Sequence, residues 1–270
     1  MSAPLQPVST RLLGKTLFLS ASVPTAQRSE RYRRASGAHF EIEQAVVSLA
    51  RAVFSESGRL VFGGHPAISP LVAMVAGEYR EPRHAEAQGE RPPAPIRIFQ
   101  SRAFQGFLPD ETLVMYQLGY ASITWIDAVD NERFSPEEDY SADGPCPKSL
   151  RAMRIAMITG TQPDAMVCIG GMEGVERERS LFHELRAGVP VYVLGSTGGA
   201  AALIAQEHSD WVRVIDREVL GRTAAMRREL SRPTYEEKAP SERPETPVVP
   251  YPLIMQTIVD HLAGRDEGGS

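Results

Sequence analysis

The sequence predicts a doubly wound α/β fold, in which a mostly parallel sheet of about six or seven strands lies between two layers of helices. Short apolar runs alternate with stretches of helical periodicity, the pattern of strands joined by crossover helices. Several runs break directly into glycine, as in Phe62-Gly63-Gly64-His65, Ile169-Gly170-Gly171 and Leu194-Gly195-Ser196. Met166-Val167-Cys168-Ile169 and Val191-Tyr192-Val193-Leu194 are buried apolar runs, as in strands covered on both faces.

The elements follow in order. Residues 1–14 are polar and Pro-containing and read as a flexible arm. Thr16 to Ala21 forms a first strand, ended by Ser22-Val23-Pro24, and a basic stretch with Arg28, Arg31, Arg33 and Arg34 follows. Apolar residues at helical spacing (Ile42, Ala45, Val46, Leu49, Ala52, Val53) predict a helix over 40–54. Leu60 to Phe62 is a second strand, with a helix over about 68–78 and a charged, Pro-rich loop over 80–95 behind it. Ile96 to Phe99 and Ala121 to Ile126 are the third and fourth strands. A helix over 149–159 leads to the fifth strand, Ala165 to Ile169. The next helix, over about 175–187, stops at Gly188 with Pro190 behind it, a C-terminal signal. Val191 to Leu194 is the sixth strand, a helix through Ile204 follows, and Val212 to Ile215 is a seventh, marginal one. These elements make a Rossmann-like three-layer α/β/α domain over 15–230. Residues 231–250, rich in proline and charge, predict a linker. Residues 251–270 predict an amphipathic helix over about 253–263 and a tail, the helix docking on the domain or on a partner.

Composition narrows the function classes. The 270 residues are 42% hydrophobic and 23% charged, with a net charge of −5. An acidic chain argues against a primary role on nucleic-acid backbones. No apolar stretch approaches the roughly 20 residues of a membrane span, and no signal-peptide pattern opens the chain, so a cytoplasmic location without membrane contact is expected. Two cysteines, Cys146 and Cys168, make no disulfide framework. No Cys/His/carboxylate set has metal-ligand spacing, and no cofactor is expected.

The glycine turns carry the chemistry. In parallel sheets ligands sit at the carboxyl ends of strands. Glycine there permits positive φ and close approach, and the following helix start offers unpaired N–H groups to an anion. Gly170-Gly171-Met172-Glu173-Gly174-Val175 and Gly195-Ser196-Thr197-Gly198-Gly199 form two such turns on successive strands. Together they point to a phosphate-bearing small molecule. Ser20, Ser22, Gly63, Gly64 and His65 are expected at the same edge, while Trp125 with Asp127 reads either as part of a base pocket or as core.

The stretch Arg154 to Glu178 resembles the SLOG superfamily, the Rossmann-like group that includes the LOG, or "lysine decarboxylase-like", phosphoribohydrolases. That pattern sets an Arg on a helix, an Asp-Ala before the apolar strand, and then G-G-x-G-T-x-x-E. Here Arg154 stands sixteen positions before Gly170, Asp164-Ala165 opens the strand, and Gly174 precedes Glu178 by four. Two departures are visible: one residue is inserted between the glycines, and Val175 stands where the pattern has Thr. The resemblance implies Arg154 and Glu178 as catalytic residues of an N-glycosidase acting on nucleoside monophosphates. A carboxylate near the anomeric carbon would stabilise oxocarbenium character or orient a water. It also implies a homodimer or higher homo-oligomer. The lost hydroxyl at Val175 favours binding over turnover. The leading expectation is a sensor of a nucleotide or NAD-derived molecule in bacterial defence, with an effector protein as partner. An interaction scaffold with a vestigial cleft is the remaining alternative.

Overall fold

The computed structural model describes residues 8–24, 31–32, 39–80, 93–137, 144–207, 210–230 and 249–264, without the side chains of 223–230. Seven strands form one sheet: β1 (Thr16–Ser22), β2 (Arg59–Phe62), β3 (Ile96–Ser101), β4 (Ala121–Ile126), β5 (Ala165–Gly170), β6 (Val191–Leu194) and β7 (Val212–Val214). The spatial order is β4-β3-β2-β1-β5-β6-β7, and every neighbouring pair is parallel. The helices are α1 (His39–Phe54), α2 (Ser69–Tyr79), α3 (Asp110–Gln117), α4 (Pro147–Thr161), α5 (Glu173–Leu185), α6 (Gly199–Ile204), α7 (Ile215–Leu230) and α8 (Tyr251–Gly264).

The two-residue period of a strand sorts the core into two halves. Leu17, Leu19, Leu60, Phe62, Val167 and Ile169 face α1, α2 and α8. Phe18, Val61, Met166, Cys168 and Val193 face α4, α5 and α6. At β5 and β6 both faces of the sheet are thus dry, and those runs carry no polar alternation. The chain moves outward from β1 to β4, then returns through α4 to place β5 on the other side of β1, with Ser22 opposite Gly170. That reversal is the topological switch point, where flanking crossovers diverge and leave a crevice.

Two helices were not visible as patterns. Helix α3 buries only Thr112 and Met115, and α7 begins at Ile215, expected as the end of a strand, with Ile215 and Val219 as its inward contacts. In α3 the apolar residues Leu113 to Tyr116 are contiguous rather than spaced along one face. The C-terminal helix docks on its own domain: Ile254, Met255, Ile258, Val259 and Leu262 are buried against α1 and α7. Each such side chain contributes about 2 kcal/mol on leaving water. The end of the arm is also held rather than loose. Leu12 is fully buried, and Arg11 lies 2.6 Å from Glu56 and 2.9 Å from Asp260 of α8. The expected linker over 231–250, apart from its last two residues, lies outside the described residues. Among the described residues no helix is long and apolar enough to cross a membrane.

Candidate functional site

The crevice at the ends of β1, β2 and β5 holds a cavity of about 240 Å³. Its walls come from Ser22 on β1, Gly63, Gly64 and His65 after β2, Arg154 on α4, and Met172, Glu173, Gly174, Val175 and Glu178 at the start of α5. Ten of the expected site residues therefore meet in one place. The apolar part of the wall was not anticipated: Leu19, Ala21, Phe62, Ile68, Leu150 and Met153. These are ordinary core residues by pattern, and only the tertiary fold turns them toward a void.

At the back of the cavity Glu178 is gripped from two sides. Its Oε1 accepts from Arg154 Nε at 3.1 Å, and its Oε2 accepts from the Ser20 hydroxyl at 2.5 Å. Ser20 is nearly inaccessible and lies on the β1 face that carries Phe18, so it anchors Glu178 from below rather than meeting a ligand. Arg154 and Glu178 side chains are 11% and 15% exposed, so the pair is open only toward the cavity and the neighbouring groove. Partly desolvated, charge-assisted contacts of this kind fix orientation strongly. The Cys168 thiol beneath is pushed up by burial and by the Glu178 carboxylate, which makes it inert as a nucleophile.

The glycines have physical reasons. Gly170 and Gly171 have φ of +58° and +84°, and a Cβ on Gly171 would stand 2.2 Å from Val175 Cγ2. Gly171 donates its N–H to the Ser22 carbonyl at 2.8 Å, and Gly170 donates to the Thr197 hydroxyl at 2.8 Å. Both therefore shape the floor without lining the cavity. The Gly63-Gly64 turn is held by Gln100, whose amide donates to the Gly63 carbonyl at 2.9 Å. Gln100 was not foreseen; its only signal is its place at the end of β3, two residues beyond Ile98. The Nδ1 of His65 accepts from the Ala67 N–H at 3.2 Å.

The second glycine turn departs from expectation. Gly195, Ser196, Thr197 and Gly198 do not reach this cavity. The Ser196 N–H donates to Asp216 Oδ2 at 2.6 Å, and its hydroxyl shares a 3.2 Å hydrogen bond with Tyr251. The buried Thr197 hydroxyl donates to the Leu194 carbonyl at 2.6 Å while accepting from Gly170. Side chains from α7 and α8, helices the turn alone cannot announce, take up these groups. By contrast, among the described residues no side chain accepts from the first N–H groups of α5.

Arg31 of the basic stretch pairs with Glu176 at 2.9 Å, and Glu176 also accepts from Tyr32 at 2.7 Å. Burial first, and then that hydrogen bond, push the Tyr32 phenol up. Arg28, Arg33 and Arg34 lie outside the described residues. Trp125 and Asp127 do not line the cavity; both meet Arg102 on the far side of the sheet. Among the described residues no three His, Cys, Asp or Glu side chains form a group that could hold a metal ion.

The SLOG cluster3 family model matches residues 31–220, most of the chain. The chain belongs to the SLOG cluster3 family. The match takes in the turns after β2, β5 and β6 together with Arg154 and Glu178, but not β1 with Ser20 and Ser22. No curated protein matches in sequence. Among solved structures the chain is similar to the X-ray structure of TM1055, a structural genomics target. The two are 13% identical, with 80% of this chain and 99% of that one covered, at a TM-score of 0.43. In this SLOG cluster3 chain the residue at 175 is a buried valine packed over Gly171. The inserted residue leaves Glu173 as the first residue of α5.

Proposed function

We propose that this SLOG cluster3 protein binds a nucleotide-type small molecule in the crevice between β1 and β5 and acts as a sensor. The observation that carries the reading is the cavity itself, sited at the switch point and backed by Arg154, Glu178 and Ser20. A crevice there is where an α/β sheet takes its ligand. The apolar wall from Leu150, Met153 and Ile68 suits a base or the face of a sugar, and Glu178 suits ribose hydroxyls. Binding is favoured over turnover because Val175 offers no hydroxyl.

One observation favours a second reading, cleavage of the N-glycosidic bond of a nucleoside monophosphate. Glu178 is both oriented by two donors and part of the cavity wall, as a carboxylate assisting an oxocarbenium-like transition state must be. The protein is to be titrated calorimetrically with nucleoside monophosphates and NAD-type molecules, and each mixture chromatographed for free base. Saturable binding without base supports the sensor. Base released by the native protein and not by Glu178→Gln supports the enzyme, and neither result leaves the scaffold. The sensor reading includes a homo-oligomer in the cytoplasm and an effector protein in bacterial defence. Its test is light scattering with and without ligand, where unchanged mass and no recruited partner count against it.

A further inference from the structure

Behind Arg154 lies a second hollow of about 600 Å³, in the groove between α4 and α5. It is lined by Lys148, Arg151, Arg154 and Arg177 against Glu176 and Glu184, with Pro147, Ser180 and Leu181. Arg154 belongs to both hollows. The two differ in charge. The cavity sets one cation, Arg154, against two carboxylates, Glu173 and Glu178. The groove sets four cations against two carboxylates, and Glu176 is already drawn off by Arg31 and Tyr32. Lys148 is engaged with Asp130 at 2.5 Å, and the cations of interest are Arg151 and Arg154. Arg151 is exposed and has no ion pair among the described residues.

An anion on the first turn of α5 would sit beside Glu173 and Glu176, which already complement that helix end. In the groove it meets Arg151 and the guanidinium of Arg154, which lines both hollows and spends its Nε on Glu178. Guanidinium forks suit phosphate oxygens. We propose that the ligand straddles Arg154, its uncharged part in the cavity and its phosphate in the α4–α5 groove on Arg151 and Arg154. This rests on the nucleotide reading above and assigns the phosphate a seat other than the glycine turn.

The test uses the full chain and two probes. Inorganic pyrophosphate is titrated while the arginine Nε–H and backbone amide signals are followed by NMR. Saturable shifts at Arg151 and Arg154 are expected, with affinity falling about tenfold or more in Arg151→Glu, the scale of one charge-assisted contact. Arg151→Gln is expected to give a smaller loss, and unchanged melting temperatures of both variants exclude misfolding. Shifts centred on the amides of 173–175, or none that saturate, overturn the proposal. Each nucleoside monophosphate that binds is then compared with its nucleoside. The proposal requires Arg151→Glu to weaken the nucleotide and spare the nucleoside. Nucleotide binding untouched by Arg151→Glu overturns it while the nucleotide reading stands. Pyrophosphate held at Arg151 with no nucleotide or nucleoside bound overturns the nucleotide reading, and the straddling ligand with it.

Discussion

The turns after β5 and β6 are near-twins in sequence and opposites in structure. Each follows a four-residue apolar run, breaks into glycine and opens a helix. After β5 the helix start borders a cavity. After β6 the same kind of turn is sealed by Asp216, Tyr251 and its own Thr197. An orphan helix-start amide is a binding site only if nothing in the fold reaches it first. Here α7 and α8 close over β6, whereas among the described residues no side chain accepts from the start of α5 beside β5.

The difference can be broken or sharpened by substitution. The largest effect is expected at Gly199, where the two turns touch: a Cβ would stand 2.4 Å from the Gly171 carbonyl oxygen at φ +58°. Gly199→Ala should cost about 3 kcal/mol in urea unfolding. Gly174→Ala, whose Cβ would lie 3.4 Å from Arg154 Nη2, should be neutral or stabilising by up to about 1 kcal/mol. Equal losses at the two positions would remove the distinction between a sealed and an open turn.

Next is the seal itself. Asp216→Ala leaves the Ser196 N–H without its acceptor and should cost about 2 kcal/mol in the same measurement. Ligand affinity should be unchanged, since Ser196 does not line the cavity; a changed affinity would return the second turn to the site. Tyr251→Phe removes the 3.2 Å bond to Ser196 together with the hydrogen bond to Glu41 and should cost about 1 kcal/mol.

The smallest effect concerns how α8 is held over the sealed turn. Arg11 keeps the Glu56 and Asp260 carboxyls below their usual range. Carboxylates lowered in the folded state contribute stability above their unfolded values near pH 4, and that contribution is lost as pH falls through the folded ones. Arg11 and Asp260 are 42% and 56% exposed, so solvent screens them. Arg11→Ala should flatten the acid limb of a stability–pH curve by about 0.5 kcal/mol. His261 on the same helix is lowered by burial and by Arg213. Its contribution is lost on acidification from about pH 6.5 down to its folded value. That loss begins at a higher pH than the range in which Arg11 acts.

Much of the site was legible because it depends on sheet-edge position. Gly63, Gly64, Gly170 and Gly171 end strands, and Arg154 and Glu178 stand at set distances from them. Ser20 was legible as a member of the crevice but not as the anchor of Glu178, because its partner lies 158 residues away. Gln100 and the apolar wall were silent, since a polar residue at a strand end and a leucine on a helix look the same with or without a void beside them. Helix α3 was silent for lack of an apolar stripe, and α7 because its first residue reads as the end of the seventh strand.

By itself, then, the order of residues determined the strands, most of the helices, the parallel sheet and the edge where chemistry belongs. Strand periodicity and glycine are local properties, and a chain carries them wherever it goes. Which of two equivalent turns stays open was decided by the tertiary structure alone. That choice depends on which donors distant groups reach: Asp216 takes the Ser196 N–H and Tyr251 the Ser196 hydroxyl at one turn, while at the other Ser22 and Thr197 take the strand-end amides and, among the described residues, no side chain takes those that open α5.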